Sequence, residues 1–236
     1  MIKVRPAAER GHGQFAGLDT HHSFSFGDYS DPAHMGYRVL RVINEDRLAP
    51  GGGFPTHPHQ DMEIVTYVLE GALRHRDSLG TTSVIRPGDV QRMSAGTGVR
   101  HSEFNDSATE PVHFLQIWLL PSRRGLAPGY AQQAFPATER DGRWRLLLAP
   151  DGAEGALTLN QNVRLFGTLL APSAAVSHRF APGRQGWLQV ARGEVQARSG
   201  DQVVTLGAGD GAALVDAAEL VLQATQQAEV LLFDLP

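Results

Sequence analysis

Short apolar runs, separated by frequent glycine and proline, make up most of this chain. They are rich in Val, Ile, Leu, Thr and aromatic residues, and they span 38–43, 64–69, 114–120, 164–170, 187–190, 220–224 and 230–233. Runs of this length between turn-forming residues are typical of strands in β-sandwiches and barrels, and no long stretch has the periodicity of an amphipathic helix. The pattern therefore predicts an all-β protein with few short helices.

The two halves of the chain repeat one order of elements. A glycine turn at Gly71 precedes a Gly-Asp turn at Gly88, and a glycine turn at Gly193 precedes a Gly-Asp turn at Gly209, which are offsets of 122 and 121 residues. Gly-Asp turns are common in any β protein, so the similarity between the two halves is also compatible with chance. A segment rich in glycine and proline lies between the halves. We predict an N-terminal domain over 1–121, a connector over 122–140 and a C-terminal domain over 141–236.

Composition narrows the classes of function. The net charge is −4, so there is no basic field for a phosphate backbone or an anionic bilayer, and we predict neither a direct nucleic-acid partner nor a membrane. The chain contains no cysteine, which excludes disulfides, thiolate metal sites and a cysteine nucleophile. The N-terminal segment lacks the apolar core of a signal peptide, and a cytoplasmic location is the expectation.

Two pairs of candidate metal ligands have the spacing that places both members on one face of a strand. His57 and His59 flank Pro58, and His101 and Glu103 have the same spacing. In an extended strand, residues two apart project to the same side. If the two strands are neighbours, three imidazoles and one carboxylate converge. That set suits a borderline or hard divalent ion with coordination positions left open.

A single pair of this kind is more often a surface pair than a ligand pair, and only the combination indicates a metal site. Glu63 shares the face of His57 and His59, so alternation does not decide between Glu63 and Glu103 as the carboxylate ligand. The remaining histidines lack a paired arrangement and are predicted to be structural or solvent-exposed: His12, His21, His22, His34, His75, His113 and His178.

These residues resemble the two cupin motifs, in the form Gly51-x5-His57-x-His59-x3-Glu63 and Gly98-x2-His101-x3-Asn105. Gly71 comes one residue later than is usual, and Gly96 stands where the second motif usually has proline. A denser similarity, over about residues 1–135, is to the pirin family. It rests on the blocks 24–29, 41–46, 57–70, 75–80, 87–91, 101–103 and 114–118.

The pirin resemblance implies a bicupin, with two β-barrel (double-stranded β-helix) domains and one metal ion in the N-terminal barrel. The family's ligands fall on His57, His59, His101 and Glu103, and Glu63 is then expected near the metal without binding it. When the four ligand positions are moved by the repeat offset of 121 or 122 residues into the second half, only one of them falls on a histidine, His178. The C-terminal barrel is therefore expected to be metal-free.

Bacterial proteins similar to pirin are associated with quercetin dioxygenase activity, so a ring-cleaving dioxygenase is the expected function. We hypothesise that the 3-hydroxyl of a planar polyphenol binds the metal and loses its proton to Glu103, the catalytic base. The enolate then reacts with O2, and the central ring opens with loss of carbon monoxide. Phe54, Gln116 and Trp118 are candidates for the pocket wall, although core or outer-surface positions are equally compatible with their pattern.

The metal and the class of function each have an alternative. The family favours Fe(II), but imidazole and carboxylate ligands also accept Mn, Co, Ni, Cu or Zn. Members similar to pirin are also reported as transcription co-regulators, so the alternative function is a metal- and redox-dependent regulatory protein with a protein partner and no physiological catalysis. An open pocket that admits a planar polyphenol favours catalysis, whereas a closed cavity above the metal favours regulation.

Overall fold

The computed structural model describes residues 1–236 and is built almost entirely of strands. The strands of the first part of the chain are β1 (Ile2–Arg5), β2 (Gly11–Phe15), β3 (Leu18–His22), β4 (Leu40–Leu48), β5 (Gly53–His59), β6 (Glu63–Glu70), β7 (Leu73–Asp77), β8 (Thr82–Ile85), β9 (Asp89–Ser94), β10 (Val99–Asn105), β11 (Val112–Leu119) and β12 (Gly129–Ala134).

The remaining strands are β13 (Arg145–Ala149), β14 (Leu157–Thr158), β15 (Arg164–Leu170), β16 (Ala175–Arg179), β17 (Gln185–Arg192), β18 (Glu194–Ser199), β19 (Gln202–Gly207), β20 (Gly211–Leu214), β21 (Glu219–Ala224) and β22 (Ala228–Leu235). One short α-helix, α1 (Ala137–Arg140), precedes them, and single 3₁₀ turns lie at Ala7–Glu9 and Ala153–Gly155. None of these helices has the length and apolar character needed to cross a membrane.

The chain forms two compact units that interleave along the sequence. The first unit comprises Gly11–Phe135 and Leu159–Gln161, and the second comprises Met1–Arg10, Pro136–Thr158 and Asn162–Pro236. The N-terminal strand β1 therefore belongs to the second unit, where it pairs with β20. Strand β12 lies inside the segment predicted as a connector, and it pairs with β9 in the first unit.

Both units contain one seven-stranded and one four-stranded sheet. The sheets of the first unit run β12-β9-β6-β11-β4-β3-β2 and β5-β10-β7-β8. Those of the second run β1-β20-β17-β22-β15-β13-β14 and β16-β21-β18-β19. The four-stranded sheets follow the same order, and so do the inner strands β9-β6-β11-β4-β3 and β20-β17-β22-β15-β13. The outer strands differ, since β14 pairs parallel with β13 whereas β2 pairs antiparallel with β3. The predicted all-β bicupin is confirmed, and the sequence repeat corresponds to a structural one.

The glycine turns show why the repeat is visible in the sequence. Gly71 and Gly193 both have φ of +74°, a left-handed conformation that side chains disfavour. A Cβ at Gly71 would lie 2.6 Å from the Pro111 carbonyl oxygen, and one at Gly193 would lie 1.9 Å from that of Gln227. Backbone conformation and close packing thus both require glycine at this turn in each unit.

The interiors of the two units differ in polarity. The second unit is filled by an apolar cluster that includes Leu188, Val190, Leu220, Leu222 and Ala224. Leu222 and Ala224 stand where an offset of 121 residues places His101 and Glu103 of the first unit. Those two residues of the first unit are themselves buried, each 2% exposed. The metal-free second barrel stays a prediction, and the candidate metal ligands lie in the first unit.

Candidate metal centre

Three imidazoles converge where β5 pairs with β10. His57 lies directly opposite His101 in the register of the two strands, and His59 follows two residues later on the same face of β5. The Nε2 atoms of His57 and His101 are 3.0 Å apart, and the ligand nitrogens of His57, His59 and His101 all lie within 4.8 Å of one another. Strand β5 is the edge of its sheet, which is why Pro58 is tolerated between the two histidines.

Glu103 lies on the buried side of this cluster. A register shift between His101 and Glu103 places Glu103 opposite Phe54. The Glu103 carboxylate lies within 4.8 Å of the ring nitrogens of His101 and His75, and it is not part of the cluster formed with His57 and His59. Its Oε2 accepts a hydrogen bond of 2.8 Å from the Gln116 amide, and its Oε1 accepts one of 3.3 Å from the Thr66 hydroxyl. Both oxygens are thus oriented by side chains of the other sheet.

Hydrogen bonds determine which ring nitrogen of His57 carries the proton. The Nδ1–H of His57 donates to the Pro55 carbonyl oxygen at 2.8 Å, so its Nε2 presents a lone pair. This backbone contact holds both the tautomer and the orientation of the ring, as partners of metal-binding histidines commonly do.

His101 is oriented by a buried chain of two further side chains. Asp77 Oδ1 accepts the backbone N–H groups of Leu79 and Thr81, and Oδ2 lies 3.0 Å from His75 Nε2. His75 Nδ1 lies 3.5 Å from His101 Nδ1. If His75 donates to Asp77 through Nε2–H, its Nδ1 accepts from His101 Nδ1–H. The Nε2 of His101 then also presents a lone pair.

Burial of the site keeps His59 and His101 neutral. Burial lowers the pKa of His59 to about 3, with further lowering by the charges of His101 and His57, whereas Glu103 raises it. Burial likewise lowers the pKa of His101 to about 3, with further lowering by His57 and His75. Neutral imidazole is the form that binds metal. Two lone pairs that face each other at 3.0 Å repel unless a cation lies between them, so the residues present fit a divalent ion.

Asp77 is the charged end of the chain behind His101. Burial raises its pKa, but the hydrogen bonds from His75, Thr81 and Leu79 outweigh this and hold the pKa below its usual value. The His75–Asp77 pair is not among the site residues predicted from the sequence, because a histidine without a paired ligand is expected to be structural or solvent-exposed. The signal was present as His75-x-Asp77, which has the same two-residue spacing as the ligand pairs, on a strand that pairs with β10.

A cavity of about 620 Å³ lies against the histidine cluster within the first unit. The three predicted pocket residues Phe54, Gln116 and Trp118 all line it. Trp118 packs edge-on against His59 at 4.9 Å between ring centroids, and Phe26 packs edge-on against Trp118 at 5.2 Å. Aromatic side chains therefore form much of the wall beside the cluster.

Glu63 lies outside this cavity, although its position in the strand pattern matched that of a ligand. It is 1% exposed, and its carboxylate accepts hydrogen bonds from the Ser94 hydroxyl at 2.9 Å and the Asn160 backbone N–H at 3.2 Å. These partners satisfy the carboxylate away from the histidines. The geometry brings Glu103, and not Glu63, next to His101.

We expect His75→Phe and Asp77→Asn to weaken divalent-metal binding by about 10-fold to 100-fold while leaving all candidate ligands in place. His75→Phe removes the acceptor of the His101 Nδ1–H, and Asp77→Asn removes the charge that holds His75 in the tautomer with a free Nδ1. The measurement is the metal Kd, determined by competition with a chelator of known affinity. His113→Phe is the matched control, because His113 is a buried histidine paired with Glu45 at 2.9 Å outside the cavity. Unchanged affinity in both test variants would contradict the orienting role.

The sheets and the imidazole cluster define the class of this protein: a bicupin with a candidate metal centre in one barrel. The pirin family model matches residues 3–119, and the model of the quercetinase C-terminal cupin domain matches residues 146–235. The chain belongs to the pirin family, which confirms the resemblance seen in the sequence.

Named relatives cover the whole chain. It is 44% identical over 236 residues to a protein of Escherichia coli (strain K12) named quercetin 2,3-dioxygenase, with 100% of this chain and 99% of the relative covered. Crystal structures of YhhW from Escherichia coli are 44% identical and match with TM-scores of 0.94 and 0.93. They cover 100% of this chain and 98% and 99% of theirs, and the second is described as a bacterial pirin in complex with nickel(II).

Proposed function

We propose that this chain is a metal-dependent dioxygenase that cleaves the central ring of a flavonol such as quercetin. The observation that carries the proposal is the position of the imidazole cluster at the wall of an aromatic-lined cavity of about 620 Å³, a size typical of small-molecule sites. The name of the Escherichia coli relative at 44% identity supports the same reaction.

His57, His59 and His101 are the proposed metal ligands, together with Glu103. When bound, a divalent metal would bind and acidify the enol hydroxyl of the substrate and provide a position for O2. We propose Fe(II) as the physiological ion. The nickel(II) complex of a relative supports binding of a divalent ion but does not identify which metal this chain binds. A ligand set of imidazoles and a carboxylate accepts several divalent metals.

The residues of the chain have separate tasks in this proposal. The Glu103 carboxylate takes the proton of the flavonol 3-hydroxyl, and the hydrogen bonds from Gln116 and Thr66 hold its oxygens for that transfer. Phe54 and Trp118 contact the faces and edges of the planar substrate and exclude water. One O2 is consumed and one carbon monoxide is released per flavonol, so the proton on Glu103 returns to the ring-opened product.

The regulatory alternative receives less support from the structure. A redox-dependent binding surface needs a metal but no pocket that admits a small molecule, whereas the lining of this cavity extends to the exposed side chain of Phe15 at the surface. The cavity that adjoins the histidines is lined by Phe26, Phe54 and Trp118, side chains that suit a flat aromatic ligand. We therefore propose catalysis as the function.

The test uses protein purified without a polyhistidine tag, stripped with a chelator and reloaded separately with Fe(II), Mn(II), Co(II), Ni(II) or Cu(II). We expect at least one metal to restore loss of flavonol absorbance, with matching O2 uptake and carbon monoxide release. The chelated protein is the control. If no metal supports flavonol loss, the proposed activity is wrong.

A further inference from the structure

A patch of four polar side chains lines the same cavity from the other sheet of the barrel. Thr20 and His22 project from β3, Asn44 and Asp46 project from β4, and the register pairs Thr20 with Asp46 and His22 with Asn44. We call these four residues the polar patch. All are buried, with exposures of 3% to 8%. The candidate metal ligands belong to the four-stranded sheet, so the polar patch is a separate wall.

Within the polar patch, His22 and Asn44 satisfy each other. The Nδ1 of His22 and the Oδ1 of Asn44 are 2.8 Å apart, a short contact in which the imidazole N–H donates. Buried polar groups on adjacent strands of a barrel normally occur as such pairs, because an unpaired group loses its hydration without replacement. The second pair of the patch is less complete.

Asp46 is the member whose hydrogen bonding is incomplete. Thr20 hydrogen-bonds its carboxyl group, but Oδ1 has no hydrogen-bond partner. Burial raises the pKa of Asp46 to about 7, and the charges of Glu103, Glu45 and Asp19 raise it further, whereas the Thr20 hydrogen bond lowers it. A carboxyl group in this state is able both to donate and to accept a hydrogen bond near neutral pH.

We propose that Asp46, with Thr20 and Asn44 beside it in the cavity wall, recognises a hydroxyl group of the aromatic ligand other than the one that faces the metal. The inference rests on the proposed function and deepens it, because it names the substrate class as polyhydroxylated planar aromatics rather than any compound with a hydroxy-ketone edge. A site that hydrogen-bonds a ligand hydroxyl discriminates strongly against an analogue without it, since the buried polar group is then left unpaired.

The experiment compares two ligands on metal-loaded protein under argon, where no turnover occurs. Quercetin and 3-hydroxyflavone share the 3-hydroxy-4-keto edge and differ in the hydroxyls elsewhere. Equilibrium Kd values are measured by quenching of tryptophan fluorescence for wild type, Asp46→Leu and Asp46→Asn. Metal content is determined for each sample, so that ligand effects are separated from metal loss.

We expect wild type to prefer quercetin by about 10-fold to 100-fold and Asp46→Leu to reduce that preference to about 3-fold or less, with the 3-hydroxyflavone Kd unchanged. Asp46→Asn keeps a donor and an acceptor in the same shape and should retain most of the preference, which keeps the test valid if the leucine variant folds poorly. Glu63→Gln is the matched control, because Glu63 is a buried carboxylate of the same unit, does not line the cavity and is predicted to leave the preference intact.

The outcomes separate this inference from the proposed function. If wild type binds both ligands and Asp46→Leu keeps the full preference for quercetin, Asp46 is satisfied by solvent alone and the inference is overturned while the flavonol proposal stands. An equal loss for both ligands also overturns it, because the effect is then on the cavity as a whole. If metal-loaded wild type binds neither ligand, the flavonol proposal fails and this inference fails with it.

Discussion

His101→Ala is expected to weaken divalent-metal binding by about 1,000-fold or more, roughly 4 kcal/mol at 1.4 kcal/mol per factor of ten. His101 belongs both to the cluster with His57 and His59 and to the group with His75 and Glu103, and its Nε2 lies 3.0 Å from that of His57. Without it, the two imidazoles on β5 face the cavity with no nitrogen opposite them on β10. Metal Kd by chelator competition and metal content after purification without a tag are the measurements.

The control for this prediction is His113→Ala, which removes a buried imidazole of the same unit that is bonded to Glu45 and lies outside the cavity. Both variants lose a buried side chain, so thermal unfolding should be affected in both, whereas metal binding should be affected only in His101→Ala. Full metal occupancy in folded His101→Ala would show that the ion binds at a different place.

Glu103→Gln is expected to reduce flavonol turnover by about 100-fold to 10,000-fold, the range over which a positioned general base contributes. Glutamine matches glutamate in shape but cannot accept the substrate proton. It also has a neutral oxygen where the metal would meet a carboxylate, so some loss of metal affinity accompanies the loss of turnover. Rates are therefore measured at saturating metal and compared per metal-loaded molecule.

Glu63→Gln separates the two carboxylates that the strand pattern left equivalent. Glu63 is bonded to Ser94 and Asn160 away from the cavity, so its variant should keep turnover within about 3-fold of wild type, apart from losses through stability. If Glu63→Gln abolishes turnover and Glu103→Gln retains it, the assignment of the base and of the carboxylate ligand is reversed.

Several features were predictable because they depend on local geometry alone. Side-chain alternation in strands places His57 with His59, and His101 with Glu103, on common faces. The left-handed turns at Gly71 and Gly193 have a residue preference strong enough to mark the repeat. The absence of cysteine restricts any metal site to imidazole and carboxylate ligands.

Other features depend on which strands become neighbours. Alternation sets Glu63 on the face of His57 and His59 and Glu103 on the face of His101, but β6 lies in the seven-stranded sheet and β10 in the four-stranded one. His75 joins the site only because β7 pairs with β10, and Asp46 meets Thr20 only because β4 pairs with β3. The place of β1 in the second unit is likewise invisible in its own sequence.

The sequence by itself therefore determined the class of fold, the repeat and the residue types that form the candidate centre. Tertiary structure decided which carboxylate adjoins the histidines, which side chains orient them and which polar groups share the cavity. The physical reason is that strand periodicity acts over two residues, whereas pairing joins residues far apart in the chain, such as His57 and His101, and depends on the packing of the whole barrel.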